Sequence, residues 1–204
     1  MSKGGSMERE IGVLLSKWWT DNKRDDIFYR SNASGARFTQ RRKSGKDTAY
    51  QSGDITFTDP IGEPLIKAWN IETKSGYGGR EKIKDSTGKV IKKIQHRWDI
   101  LDILDSSQKK TTFETMWEQC CRDANLTYRI PVLIFRRSQR KVCVAILSSY
   151  KRKLVEFFGN PCCKTIEYKH NSLRILIMPF ENFLDWLHDF DKYLSYNSRW
   201  LSKI

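Results

Sequence analysis

The sequence is short of histidine, cysteine, acid and long apolar runs, and each shortage excludes something. Only 3 His are present, at positions 96, 170 and 188, too scattered to suggest a histidine-based catalytic centre. The 5 Cys stand at 120, 121, 143, 162 and 163. Two adjacent pairs fit neither the C-x₂-C spacing of a zinc site nor a disulfide framework in a reducing compartment, so they read as buried thiols. The longest apolar stretches, 130–135 and 175–178, are strand-sized, far below the ~18–20 residues of a membrane span. Met1 to Ser6 lacks the apolar segment of a secretory signal, which leads us to expect a cytoplasmic chain with no membrane partner. Acid is in deficit: 24 Asp+Glu against 37 Lys+Arg leaves a net charge of +13, which points to a polyanionic partner.

What is plentiful is core-forming material. Of 204 residues, 39% are hydrophobic, with 7 Trp, 8 Tyr and 10 Phe spread along the chain, which excludes intrinsic disorder. The length bounds a single domain over residues 1–204 that can bury a real core.

Apolar residues Met7, Ile11, Leu14, Leu15 and Trp18 fall on one face of a helix over 7–19, with Ser6 as N-cap. A short apolar run follows at Ile27 to Tyr29. Residues 30–53 read as a loop, whose part from 30 to 46 holds two Gly, three Ser and six basic residues. Two strand candidates come next, 54–58 and 65–74, joined by the turn chemistry of Asp59-Pro-Ile-Gly-Glu-Pro. Residues 76–97 are Gly-rich and basic and read as exposed; the Gly-rich 75–80 lacks the Gly-Lys-Ser/Thr ending of a phosphate-binding loop. A helix fits 111–125, strands fit 130–135, 142–147 and 173–178, and a last helix fits 181–194. The order predicts an α/β or α+β domain with a mixed central sheet.

The chemistry is concentrated in Gly53-Asp54 and Asn70-Ile-Glu72-Thr-Lys74. A strand alternates its faces, so Asn70, Glu72 and Lys74 share one face and Trp69, Ile71 and Thr73 the other. If the two strands pair as a hairpin turning at Glu63, Asp54 lies opposite Glu72. Like charges so placed repel, and a divalent cation removes the conflict. Magnesium is commonly held by one or two carboxylates plus waters. Lys74 would then stand by the attacking water and the scissile phosphate, favouring hydroxide and stabilising developing charge. Asp59 is the rival to Asp54 and reads as a turn residue. Glu8 and Glu10 flank the apolar stripe of the first helix almost equally, so helical geometry does not separate them.

An Asp, a variable spacer and then Glu-x-Lys resembles the signature of the PD-(D/E)XK nuclease superfamily. Within it the chain looks most like archaeal-type Holliday junction resolvases and related phage nucleases. Glu8-Arg9 looks like the start of the resolvase first helix, and Ala33-Ser34-Gly35 like the loop whose serine lies near the scissile phosphate. The likeness covers about residues 3–75. It implies a restriction-endonuclease-like α/β core with a mixed central sheet flanked by helices. The metal-site core would occupy about 3–147, and 148–204 would be a C-terminal strand-helix elaboration. The resemblance further implies a Mg²⁺- or Mn²⁺-dependent DNA endonuclease acting on branched or duplex DNA. Glu8, Asp54 and Glu72 would bind metal, and Ser34 and Lys74 would complete the catalytic set. A homodimer follows if two opposed strands are to be cut symmetrically. The host would be bacterial or archaeal, and the gene of phage type. Basic residues Arg37, Arg41, Arg42, Lys43, Lys46, Arg80 and Lys82 bracket the motif and are expected to contact DNA phosphates. Phe38 and Tyr50 could stack on bases.

Two departures from the pattern stand out. Gly53 occupies the position of the signature's Pro, and the basic insertion over 37–50 is longer than in the small resolvases. Gln119 could correspond to the glutamine that some members add to the site, although it lies off its helix's apolar stripe. A restriction-type nuclease, or a nucleic-acid-binding protein that keeps the fold without catalysis, are the alternative readings.

Overall fold

A computed structural model describes residues 3–31, 44, 52–76, 80–95, 104, 111–137 and 139–196. The first helix, α1 (Lys3–Trp19), buries Met7, Ile11 and Leu15, the stripe its periodicity requires. A two-stranded antiparallel ribbon follows, β1 (Phe28–Arg30) against β2 (Ile55–Phe57), with Arg30 opposite Ile55.

The expected hairpin between 54–58 and 65–74 is not formed. A short helix α2 (Glu63–Ala68) intervenes, and only then does β3 (Trp69–Ser75) begin. Leu65, Ile66 and Ala68 are all fully buried while Lys67 is exposed, a pattern that a half-buried strand cannot satisfy. Pro64 sits in the first helical turn, where its missing N–H costs nothing. Asp59 caps the turn before it, accepting from the Ile61 N–H and pairing with Arg24 at 2.6 Å, the turn role expected of it.

The Gly-rich basic segment forms a hairpin of β4 (Arg80–Lys84) and β5 (Val90–Gln95). Its turn is tied by Asp85 Oδ1, which accepts from the Thr87 and Lys89 N–H groups at 2.9 and 3.0 Å. Helix α3 (Thr112–Asn125) opens with a capping box: Thr111 accepts from the Glu114 N–H, and Glu114 accepts from the Thr111 N–H. Then come β6 (Ile130–Arg136), β7 (Cys143–Leu147), α4 (Ser148–Phe158), β8 (Ile166–His170) and β9 (Leu173–Pro179). The expected last helix is split into α5 (Phe180–Trp186) and α6 (Phe190–Tyr196), although Phe183, Leu184, Leu187, Phe190 and Leu194 are buried as expected. Leu187, with φ −101° and ψ 34°, has left helical geometry and makes the break.

Five strands form a mixed sheet in the order β3-β6-β7-β9-β8. Only β3 and β6 run parallel; the other pairs are antiparallel. Strand alternation divides the core. Trp69, Ile71, Val132, Ile134, Val144, Ile146, Leu176 and Met178 face α1, α2, α4, α5 and α6. Leu133, Ala145 and Ile175 face α3 through Phe113, Met116 and Trp117. This is the mixed α/β architecture with a helix-flanked sheet that the sequence predicts. Of the cysteines only Cys120 is fully buried; Cys162 is exposed and the rest are half-buried, so the reading of five buried thiols holds for one. No described helix is long and apolar enough to cross a membrane.

Candidate active site

The site is assembled at the free edge of β3. Trp69 and Ile71 go to the core, so Asn70, Glu72 and Lys74 must face the α3 side. Asp54 reaches them without a hairpin. Its N–H donates to the Ile71 carbonyl at 2.8 Å, and its Oδ2 accepts from the Thr73 N–H at 2.8 Å and from Thr73 Oγ1 at 3.1 Å. The aspartate therefore takes the place of a partner strand, its carboxylate imitating one rung of a ladder. Its own carbonyl accepts from the Ser31 N–H at 2.8 Å, which ties the end of β1 to the site.

Gly53 makes this approach possible. Its φ is +89°, and a Cβ there would lie 2.8 Å from the Ile71 carbonyl oxygen and 3.2 Å from Asn70 Oδ1. Proline is fixed near φ −65°, so Gly53 is no conformational stand-in for the signature's Pro. Beside it, Ser52 Oγ donates to Asn70 Oδ1 at 2.7 Å and lies 3.1 Å from the Asp123 carbonyl oxygen. Asn70 is completely buried, and its Nδ2 has no partner.

Glu72 is only 4% exposed. Its Oε1 accepts from Lys74 Nζ at 2.5 Å and from Gln119 Nε2 at 2.9 Å. Burial, and next the neighbouring Asp54 charge, push the Glu72 carboxyl up to about 7 against the pull of Lys74. Gln119 thus joins the site from the flank of α3, off the apolar stripe but above the edge strand. Glu8 also comes in: it is 9% exposed and ion-paired with Arg30. Burial and then Asp54 raise its carboxyl too, with Arg30 opposing. Glu10 faces outward and pairs with Arg136 at 2.7 Å, so the structure separates the two acids that helical geometry could not.

Glu8 and Glu72 thus each feel the Asp54 charge, but among the described residues no three acid, histidine or cysteine side chains converge closely enough to hold an ion. The two nearest-coupled acids, Asp54 and Glu72, nonetheless fit magnesium. They are hard oxygen donors whose mutual repulsion Lys74 offsets only in part, and that ion needs only one or two carboxylates. Ser34, Arg37, Arg41, Arg42, Lys43 and Lys46 lie outside the described residues, as do Phe38 and Tyr50. Arg80 and Lys82 lie on β4, where the backbone alone is described.

The family described as "Phage putative PDDEXK endonuclease" matches residues 88–193, just over half of the 204-residue chain. The chain belongs to this family. The PDDEXK match spans β5, α3 with Gln119, β6 to β9 with α4, and then α5 and the first part of α6; Asp54, Glu72 and Lys74 all lie before it. Neither the curated proteins nor the solved structures yielded a match. The sequence of this PDDEXK chain puts Asn70 on the face of Glu72 and Lys74, but it assigned no role there to Asn70, Ser52, Thr73 or Arg30. Asn70 had the signal of strand alternation, whereas alternation sends Thr73 to the opposite face, from which its N–H and Oγ1 still reach Asp54.

Proposed function

We propose that the protein is a divalent-cation-dependent DNA endonuclease, a single nuclease domain in which Asp54 and Glu72, assisted by Glu8, hold Mg²⁺ or Mn²⁺. The observation that carries this reading is the buried opposition of Asp54 and Glu72 with Lys74 on the Glu72 carboxylate. A group held at about 7 with a second acid beside it is an arrangement that a cation relieves. When bound, the cation would polarise the phosphate and lower the barrier to forming the attacking hydroxide.

The protein's own groups do the rest. Thr73 fixes the direction of Asp54 through two donors. Gln119 holds Glu72 in place from α3, and Lys74 on the same carboxylate would orient water and offset charge building on the phosphorus. Ser34 and the basic residues Arg37, Arg41, Arg42, Lys43, Lys46, Arg80 and Lys82 would hold the phosphate backbone, which supplies affinity without sequence readout. The surplus of +13 charges supports the same substrate class. Family membership among phage endonucleases supports DNA as substrate.

Within this class we favour structure-selective cleavage of Holliday junctions by a homodimer, on the likeness of Glu8-Arg9 and Ala33-Ser34-Gly35 to the resolvase pattern. Plasmid nicking with Mg²⁺ or Mn²⁺, set beside Asp54→Asn, tests the enzyme; a wild type that cuts no DNA leaves only a nucleic-acid-binding protein. Comparing a four-way junction with duplex, flap and single-stranded DNA at equal salt tests selectivity. Paired symmetric cuts confined to the junction are expected. Equal degradation of all four substrates would mean a general nuclease.

A further inference from the structure

Arg30 is anchored to the site twice over. Its strand lies against β2, and the next residue, Ser31, donates its N–H to the Asp54 carbonyl at 2.8 Å. Its guanidinium is ion-paired with Glu8, the acid that senses Asp54. The Arg30 side chain is 40% exposed, whereas that of Glu8 is 11% exposed, so the arginine bridges an inner carboxylate to open solvent. The other two cation pairs differ. Lys74 is itself enclosed, at 12% exposure, and Arg136 serves Glu10 on the outside of α1.

We propose that Arg30 is exchanged between Glu8 and a DNA phosphate, so that DNA binding and divalent-cation binding at this site strengthen each other. The inference rests on the metal-dependent reading above. Arg30 and a cation compete for one carboxylate, because the guanidinium already sits on the Glu8 oxygen that a cation at the site would take. With Arg30 on Glu8, no three acids among the described residues converge into one set. A phosphate offers guanidinium an alternative partner of matching fork geometry and full solvent access. Once Arg30 is drawn to it, Glu8 needs a new counter-charge, and the cation supplies it. By linkage the effect is reciprocal: whatever factor DNA adds to cation affinity, the cation adds to DNA affinity.

The test is Mn²⁺ titration of the full chain, followed by calorimetry, with and without a short phosphorothioate duplex that resists cleavage. In the wild type, DNA is expected to tighten Mn²⁺ binding by about fivefold or more, the low end of ordinary coupling. Arg30→Gln is expected to bind Mn²⁺ more tightly than wild type in the absence of DNA and to lose the DNA-dependent gain. If Arg30→Gln fails to fold, DNA affinity of the wild type measured with and without Mn²⁺ must show the same factor. Mn²⁺ binding that DNA leaves unchanged, or that Arg30→Gln does not tighten, overturns the exchange while leaving the metal site standing. A wild type that takes up no Mn²⁺ in the DNA-free sample removes the metal reading itself.

Discussion

Replacing Asp54 by Asn should make the cation-free protein lose less stability as pH rises. Glu72 has an ordinary value of 4.5 and is carried to about 7 in the folded protein, first by burial and then by Asp54. A folded value above the unfolded one favours the protonated state. Its stability is therefore fully present below pH 4.5 and is lost as pH rises through about 7. The whole displacement corresponds to about 3 kcal/mol. Burial is the larger cause, so removing the Asp54 charge should recover the smaller part of it. Glu8, raised by burial and then by the same aspartate, adds in the same direction. The asparagine carbonyl can still accept from the Thr73 N–H, so the fold keeps its edge contact. Urea unfolding of both proteins at intervals across pH 4.5 to 7.5, in chelator, reads the difference. Adding Mg²⁺ at about 100 times its dissociation constant should then stabilise the wild type by about 3 kcal/mol and Asp54→Asn far less. Equal loss of stability in the variant at every pH would refute the reasoning, because Asp54 would then be a hydrogen-bond acceptor whose charge Glu72 does not feel.

Three further outcomes follow from the same geometry. Gly53→Ala should destabilise the chain by at least about 2 kcal/mol in urea unfolding, from positive φ and a clash with backbone; an unchanged midpoint would mean that the turn is not held as described. Lys74→Met should lower single-turnover cleavage by about 10²–10³-fold while Mn²⁺ binding persists; retained cleavage would remove Lys74 from the mechanism. Thr111→Ala breaks the α3 capping box and should cost about 1 kcal/mol in unfolding midpoint without altering Mn²⁺ affinity.

The parts of this site that were legible in the sequence are those set by local periodicity. Strand alternation alone places Glu72 and Lys74 on the face opposite Trp69 and Ile71, and α3 could be read from one apolar stripe. The route by which Asp54 reaches Glu72 was not legible. The hairpin reading brought Asp54 and Glu72 together by a path the structure does not take, because turn residues at 59–64 suit a hairpin and a helix start equally well. What decides between them is burial of Leu65, Ile66 and Ala68 together, a tertiary fact. Glu8 against Glu10 is similar: both flank the stripe, and only the positions of β1 and β6 give one Arg30 and the other Arg136. Gln119 shows the limit of stripe analysis. A residue off the apolar face still meets the site, because β3 is the sheet's edge strand and α3 overhangs it.

The account stands or falls on whether Asp54 and Glu72 share a divalent cation. A crystal of the protein soaked in Mn²⁺ and measured at the manganese absorption edge reads this directly. The account predicts an anomalous difference peak between the two carboxylates in the wild type and none there in Asp54→Asn. A soaked wild-type crystal with manganese bound elsewhere, and no peak between Asp54 and Glu72, would contradict it.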